Sequence, residues 1–413
     1  MVIAGIRASE ILDSRGYPTI RTRIWLKNGV MAEASVPSGA STGSHEAYEK
    51  RDGGKRYMGK GVLGAIDGIN GVIARALIGE DVRNQSGIDT KMIALDGTKD
   101  KSSLGANAIL SVSIAAARCA SFLQGIPLYR YIRGLMPGKL PRVMMNVLNG
   151  GRHADNNLDI QEFMIVPKEG MPFSASIQMC AEIYRSLKDD IKSLGLSSAV
   201  GDEGGFAPNL ETDEDALLLL TKASEKAGYA PGKDVFFALD MAAGEWADEE
   251  GYYLPKRRTK LTRAELMDYT EMLTKKYPII SVEDPLGEDD FDGFSVLTSK
   301  IGESVSVVGD DLFVTNPERI SKGAEAGCAN AVLIKPNQIG SVTETLLAAF
   351  TARRYGYRVI ASHRSGDTAD PFLADLAVGM NADFIKSGAP ARSERTEKYN
   401  RLMDIADDIE AIQ

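Results

Sequence analysis

The chain is short of cysteine, aromatic residues, histidine and basic charge. Its only cysteines among 413 residues, Cys119, Cys180 and Cys328, are odd in number, widely spaced and without a CxxC pair. That excludes a disulfide framework and a cysteine-based zinc site, and the thiols read as reduced residues of a cytoplasmic protein. Lysine and arginine total 48 against 57 acids, a formal net charge of -9. With no clustered basic face, nucleic acid is excluded as a partner. A small anionic substrate is not excluded, since a local cationic pocket or a metal can reverse the field within one cleft. No apolar run reaches the roughly 20 residues that span a membrane. The opening MVIAGIRASEILDSRGYPTI is broken by charge before any signal-like core can form. The expected compartment is the cytoplasm.

What is present is ordinary globular material, 44% hydrophobic and 25% charged, in a chain long enough to divide into two domains. Residues 18–36 alternate polar and apolar around Asn28-Gly29, the pattern of a hairpin. PSGASTG (Pro37 to Gly43) is too rich in Gly and Ser for a regular element and reads as a mobile loop. Leu104 to Gln124, with its run of Ala, Ile and Val, reads as a helix. GLMPGKLP carries two glycines and two prolines, which sets the expected boundary: a first domain over 1–133, a linker at 134–141 and a second domain over 142–413.

Beyond that boundary short apolar runs recur, each ending in a charged residue and each followed by a helical stretch. DVFFALD ends at Asp240, IISVED passes Glu283, SVVGDD passes Asp310, AVLIKP carries Lys335, RVIASHRSG carries His363 and Arg364, and ADFIKSG carries Lys386. From Glu283 the steps to Asp310, Lys335, His363 and Lys386 are 27, 25, 28 and 23 residues, about one strand, one helix and two short loops each. The step of 43 from Asp240 to Glu283 leaves room for an extra loop, AGEWADEEGYYLPKRRT. Reactive side chains at successive strand ends are the arrangement of a (β/α) barrel. A doubly wound open sheet competes, but no GxGxxG or Walker-type turn favours it.

Singly, Asp240, Glu283 and Asp310 each read as a helix cap or a surface ion pair. At matching places in successive units they read instead as hard oxygen ligands suited to magnesium. Lys335 and Lys386 share the same mouth. A lysine there must be paired, deprotonated or catalytic, and a neighbouring lysine and metal should lower its pKa, making one of the two a general base and the other an anion contact. GDEGGFAPN holds Glu203 in a glycine-dense segment, and NGGRHADNNLDIQEFM supplies His153 and Glu162. All three histidines, His45, His153 and His363, lie in or beside glycine-containing loops, which favours roles near a site. Arg364 and Ser365 offer a guanidinium and a hydroxyl suited to phosphate.

DSRG, PSGASTG, NGGRHADN, QEFM, GDEGGFAPN, SVEDP, GDDLFVTN, LIKPNQIG, SHRSGD and IKSGAP stand in this order across nearly the whole chain. In that order and spacing the sequence resembles the enolase family, the phosphopyruvate hydratases of glycolysis. The resemblance implies an α/β fold, an enolase-type (β/α)8 barrel opening in ββαα order behind a small α+β N-terminal domain. It also implies interconversion of 2-phosphoglycerate and phosphoenolpyruvate with two Mg²⁺ ions, the second arriving with substrate. By the same resemblance Asp240, Glu283 and Asp310 are first-ion ligands and Ser41 is the protein ligand of the second, beside the substrate. Lys335 is the carbon-2 base, and Glu203, assisted by Glu162, is the acid for the leaving hydroxide. Lys386 binds the carboxylate, Arg364 and Ser365 the phosphate, with His363 alongside and His153 in a loop near the phosphate. A homodimer, or an octamer built of dimers, is implied as well. Tyr17 and Ser9 depart from the family pattern in the region of that dimer contact, and 368–371 and 383–384 depart beside His363 and Lys386. The competing readings are another acid-abstracting member of the superfamily and an enolase-like chain that has lost its chemistry. The GDEGG and SHRSG segments and the Ser41 loop argue against the first, and the joint presence of Lys335, Glu203 and the three carboxylates argues against the second.

Overall fold

A computed structural model describes residues 1–39, 43–136, 138–248 and 250–411, so Ser41 lies outside the described residues. The N-terminal part is built on an antiparallel sheet of β1 (Ile3–Leu12), β2 (Pro18–Leu26) and β3 (Met31–Ser35) in that order. The β2–β3 turn is the expected one: Leu26 N–H donates to the Val30 carbonyl at 2.8 Å and Gly29 takes a positive φ of 87°. The helix Ala106–Gln124 packs across β2 and β3. Among the described residues it alone is long and apolar enough to cross a membrane, and 83% of that apolar window is buried inside the molecule. Its low polarity belongs to core packing.

The second part is a closed barrel. Its strands are β4 (Arg142–Asn149), β5 (Glu162–Pro167), β6 (Val235–Asp240), β7 (Ile279–Glu283), β8 (Ser306–Gly309), β9 (Ala331–Ile334), β10 (Arg358–Ser362) and β11 (Phe384–Lys386). They hydrogen-bond around the ring as β7-β8-β9-β10-β11-β4-β5-β6. β5 runs antiparallel to β4 and β6, and the helices Phe173–Ser193 and Asp213–Lys226 follow it, which is the ββαα opening. Closure excludes the open doubly wound sheet. The strands read as unbroken apolar runs because both faces are covered. Met144, Met164, Val166, Ala238, Val308, Leu333 and Ile360 fill the lumen, and the larger cluster lies between strands and helices.

Residues 243–261 form more than the expected loop: a short 3₁₀ turn and a sheet of Ala247–Asp248, Gly251–Leu254 and Thr259–Leu261. The Tyr252, Leu254 alternation buries both residues while Tyr253 faces out, so a period-two signal was present in a stretch dominated by charge. The helix Leu128–Arg133 and β4 flank residues 134–141. A two-pronged ion pair joins the two parts, Arg118 to Asp370 at 2.6 and 3.0 Å, and Asp370 also accepts from Ser35 N–H at 2.9 Å. Asp370 lies within the 368–371 segment that departs from the family pattern, and here it is a structural anchor. Ser9 is exposed on β1. The three cysteines are buried and unpaired.

Candidate active site

Barrel direction alone gathers the predicted side chains. Asp240, Glu283 and Lys386 end β6, β7 and β11, while Asp310, Lys335 and His363 directly follow β8, β9 and β10. Glu162 opens the antiparallel β5, which brings it to the same mouth. The segments just past the acids are strained: φ is 47° at Ala242, 40° at Asp284, 42° at Val314 and 56° at Thr315. Left-handed backbone at β-branched residues is costly and persists where surrounding contacts impose it, commonly at functional sites.

Lys386 Nζ is the hub. It lies 2.9 Å from Asp240 Oδ2, 2.9 and 2.8 Å from the two Glu283 oxygens and 3.2 Å from Glu162 Oε2, with its side chain 3% exposed. Lys335 Nζ pairs with Asp310 Oδ2. Burial works to lower the Lys335 ammonium, but Asp310 more than reverses it, so it lies above the ordinary lysine value. Lys386 is driven up in the same way, against burial, by Asp240, Glu162 and Glu283. In the protein alone the neighbouring acids outweigh both burial and the other lysine; the expected depression concerns the site with its divalent ion bound. Glu283 in turn is pushed well up, by burial and then by Asp240.

The acids outweigh the two ammonium groups among them, and all their donors are hard oxygens. That charge and donor chemistry fits a divalent cation. The tightest carboxylate group on this side is instead Asp284, Asp310 and Asp311. Asp284 uses both oxygens to brace the Asp310 and Asp311 N–H groups at 2.9 and 2.8 Å, so it serves the turn. Asp240 and Glu283 pair with Lys386, and Asp310 pairs with Lys335.

Glu162 and Glu203 form a second centre with His153, whose Nδ1 lies 3.5 Å from Glu162 Oε1 and 3.9 Å from Glu203 Oε1. Asn146 donates to Glu203 Oε2 at 3.0 Å, and His363 Nε2 stands 3.3 Å from the same atom. Arg395 Nη1, which can only donate, lies 2.6 Å from His363 Nδ1, so the histidine proton sits on Nε2 and faces Glu203. Burial pulls His363 down to about 4, so it is neutral at ordinary pH. Burial and the Glu203 charge push Glu162 well up, while Glu203 is held down, against its own burial, by His363 and His153. A proton shared by the pair is therefore favoured on Glu162 over Glu203. Glu162 on β5 and Lys335 beyond β9 stand across the ring, four strands apart in either direction.

Arg364 and Ser365 border the same cavity, but the guanidinium is already held: Nη1 and Nη2 grip the two Glu46 oxygens at 2.9 and 3.1 Å. The cavity measures about 40 Å³, room for little more than water, so a phosphorylated acid requires side chains to move. A larger cavity of about 640 Å³ lies at the other end of the barrel, around Arg142 and Arg358, away from these groups. His45 does not join the site; it is exposed and pairs with Asp289 at 3.1 Å. Sequence reasoning missed Glu46, Asn146, Asp284, Gln338 and Arg395. The motif around Asp284 and Gln338 was visible, but their partners are distant in sequence.

A closed barrel opening in ββαα order, with acids and lysines converging at its C-terminal mouth behind a small α+β part, defines a barrel lyase of the enolase superfamily. The description "Enolase, N-terminal domain" matches residues 3–132 and "Enolase, C-terminal TIM barrel domain" matches residues 138–412. The chain belongs to the enolase family.

Proposed function

We propose that the protein interconverts 2-phosphoglycerate and phosphoenolpyruvate, as in glycolysis and its reversal. The observation carrying this reading is the placement of two lysines and the Glu162–Glu203 pair around one buried mouth, with Lys335 across the ring from Glu162. Lys335, once its proton is surrendered, takes the carbon-2 proton on one side. The carboxyl pair gives a proton to the hydroxide leaving carbon 3 on the other, so that water departs and the double bond forms. Bound by Asp240, Glu283 and Asp310, with Ser41 contacting a second ion, Mg²⁺ would supply positive charge to the substrate carboxylate as it becomes dianionic. Lys386 contributes a fixed ammonium to the same end. Arg364 and Ser365 bind the phosphate; neutral His363 faces Glu203, and His153 beside both carboxyls closes the site. In this reading residues 1–133 cap the barrel of 142–413 across the 134–141 connection, and the chain works in the cytoplasm as a dimer or an octamer of dimers. Ultraviolet absorbance on adding 2-phosphoglycerate tests it. A rise with Mg²⁺ that chelator removes supports the proposal; a folded protein giving no rise refutes it.

A further inference from the structure

Glu46 is the one carboxylate from the N-terminal part in direct contact with a proposed substrate group among the described residues. Its side chain is 6% exposed and that of Arg364 4%. Glu46 stands in a segment clamped to the barrel at several points. Ser44 N–H donates to Glu288 at 3.0 Å and Ala47 N–H to the Gln338 carbonyl at 2.8 Å, while within the segment Gly43 N–H donates to Glu46 Oε1 at 3.1 Å. Gly43 fits because a side chain there would meet Asp311 Oδ1 at 2.9 Å. Gln338 Nε2 reaches Asp310 Oδ1 at 2.9 Å and Glu46 Oε1 at 3.4 Å, and Thr315 Oγ1 fixes its other end at 2.7 Å. The network runs from Arg364 through Glu46 and Gln338 to Asp310 and Lys335.

We propose that Glu46 is a positioning residue that aims Arg364 at the substrate phosphate, an inference that rests on the phosphate role of Arg364 in the proposed function. A guanidinium has five N–H donors, so a carboxylate on the Nη1–Nη2 edge and a phosphate on another edge can be held together. Without Glu46 the competing acids are Asp310 and Asp311, which already attract Arg364 electrostatically. The arginine would then turn toward the carboxylates beside Lys335 and away from the phosphate position. The repulsion between Glu46 and a bound phosphate acts the other way, but the guanidinium between them screens it.

Glu46→Gln and Glu46→Asp test this in the full chain, with circular dichroism and thermal midpoint as folding controls and inorganic phosphate as a probe by calorimetry. Loss of one charge-assisted contact of this kind predicts roughly 10- to 100-fold weaker phosphate binding and an equal rise in KM for Glu46→Gln. kcat should change far less, and Glu46→Asp should restore part of the loss. Phosphate binding that is unchanged or tighter in folded Glu46→Gln overturns the inference, as does a fall in kcat at constant KM. So does a wild type that binds no phosphate. A wild type that binds phosphate in a Glu46-dependent way yet fails to convert 2-phosphoglycerate would sink the proposed reaction and leave the role of Glu46 standing.

Discussion

Lys386→Met removes the one positive charge that three buried carboxylates share. Asp240, Glu283 and Glu162 approach its Nζ to between 2.8 and 3.2 Å, and water cannot replace it freely at 3% exposure. Taking one partner out of a buried pair costs about 3–5 kcal/mol, because the remaining charge is left uncompensated. Here protonation limits the cost. Glu283 and Glu162 already lie above the usual carboxylate range, through burial first and neighbouring acids second. Without Lys386 they rise further. An acid whose folded pKa is raised contributes stability below its unfolded value and loses it as pH climbs through the folded value. The deficit of the variant should thus be small near pH 5 and approach the full cost near pH 8. Urea denaturation of both proteins in chelator at the two pH values measures it. A variant as stable as the wild type near pH 8, or a deficit independent of pH, would refute the reasoning.

Three further outcomes are expected. Glu203→Gln should block net dehydration while carbon-2 hydrogen exchange partly survives, since proton abstraction precedes hydroxide loss; equal loss of both would make Glu203 a shaping residue only. Asp370→Asn should cost up to about 3 kcal/mol in denaturant unfolding by removing the carboxylate that neutralises half-buried Arg118, which keeps only the Glu33 carbonyl. Arg118 holds Asp370 below the usual carboxylate range against its burial, so that stabilisation is present above the unfolded carboxylate value and lost on acidification; the wild type should lose stability more steeply than the variant in acid. His363, pulled to about 4 by burial, should show a flat imidazole NMR shift from about pH 5 to pH 8; a midpoint near 6.5 would contradict its assigned neutrality.

The barrel was legible because each unit ends its apolar strand on a reactive residue, at nearly constant spacing from Glu283 onward, so Asp240, Glu283, Asp310, Lys335 and Lys386 could be read from β-strand grammar alone. Lysine charge was not legible: it depends on which acid each ammonium meets, and Asp310 against Lys335 is a three-dimensional fact. Glu46 was hidden for the same reason, since its partner lies 318 residues away. The small sheet at 247–261 was obscured by a charged stretch whose alternation spans only a few residues. Asp370 stood unremarked within the departing 368–371 segment, because sequence alone cannot show Arg118 facing it.

The most direct test of the central claim is turnover of 2-phosphoglycerate in D₂O with Mg²⁺, followed by proton NMR for wild type and Lys335→Ala. In the wild type the carbon-2 proton signal should disappear as the phosphoenolpyruvate vinyl protons appear, and in the variant neither change should occur. Carbon-2 exchange persisting in folded Lys335→Ala, or no exchange in the wild type, would contradict it.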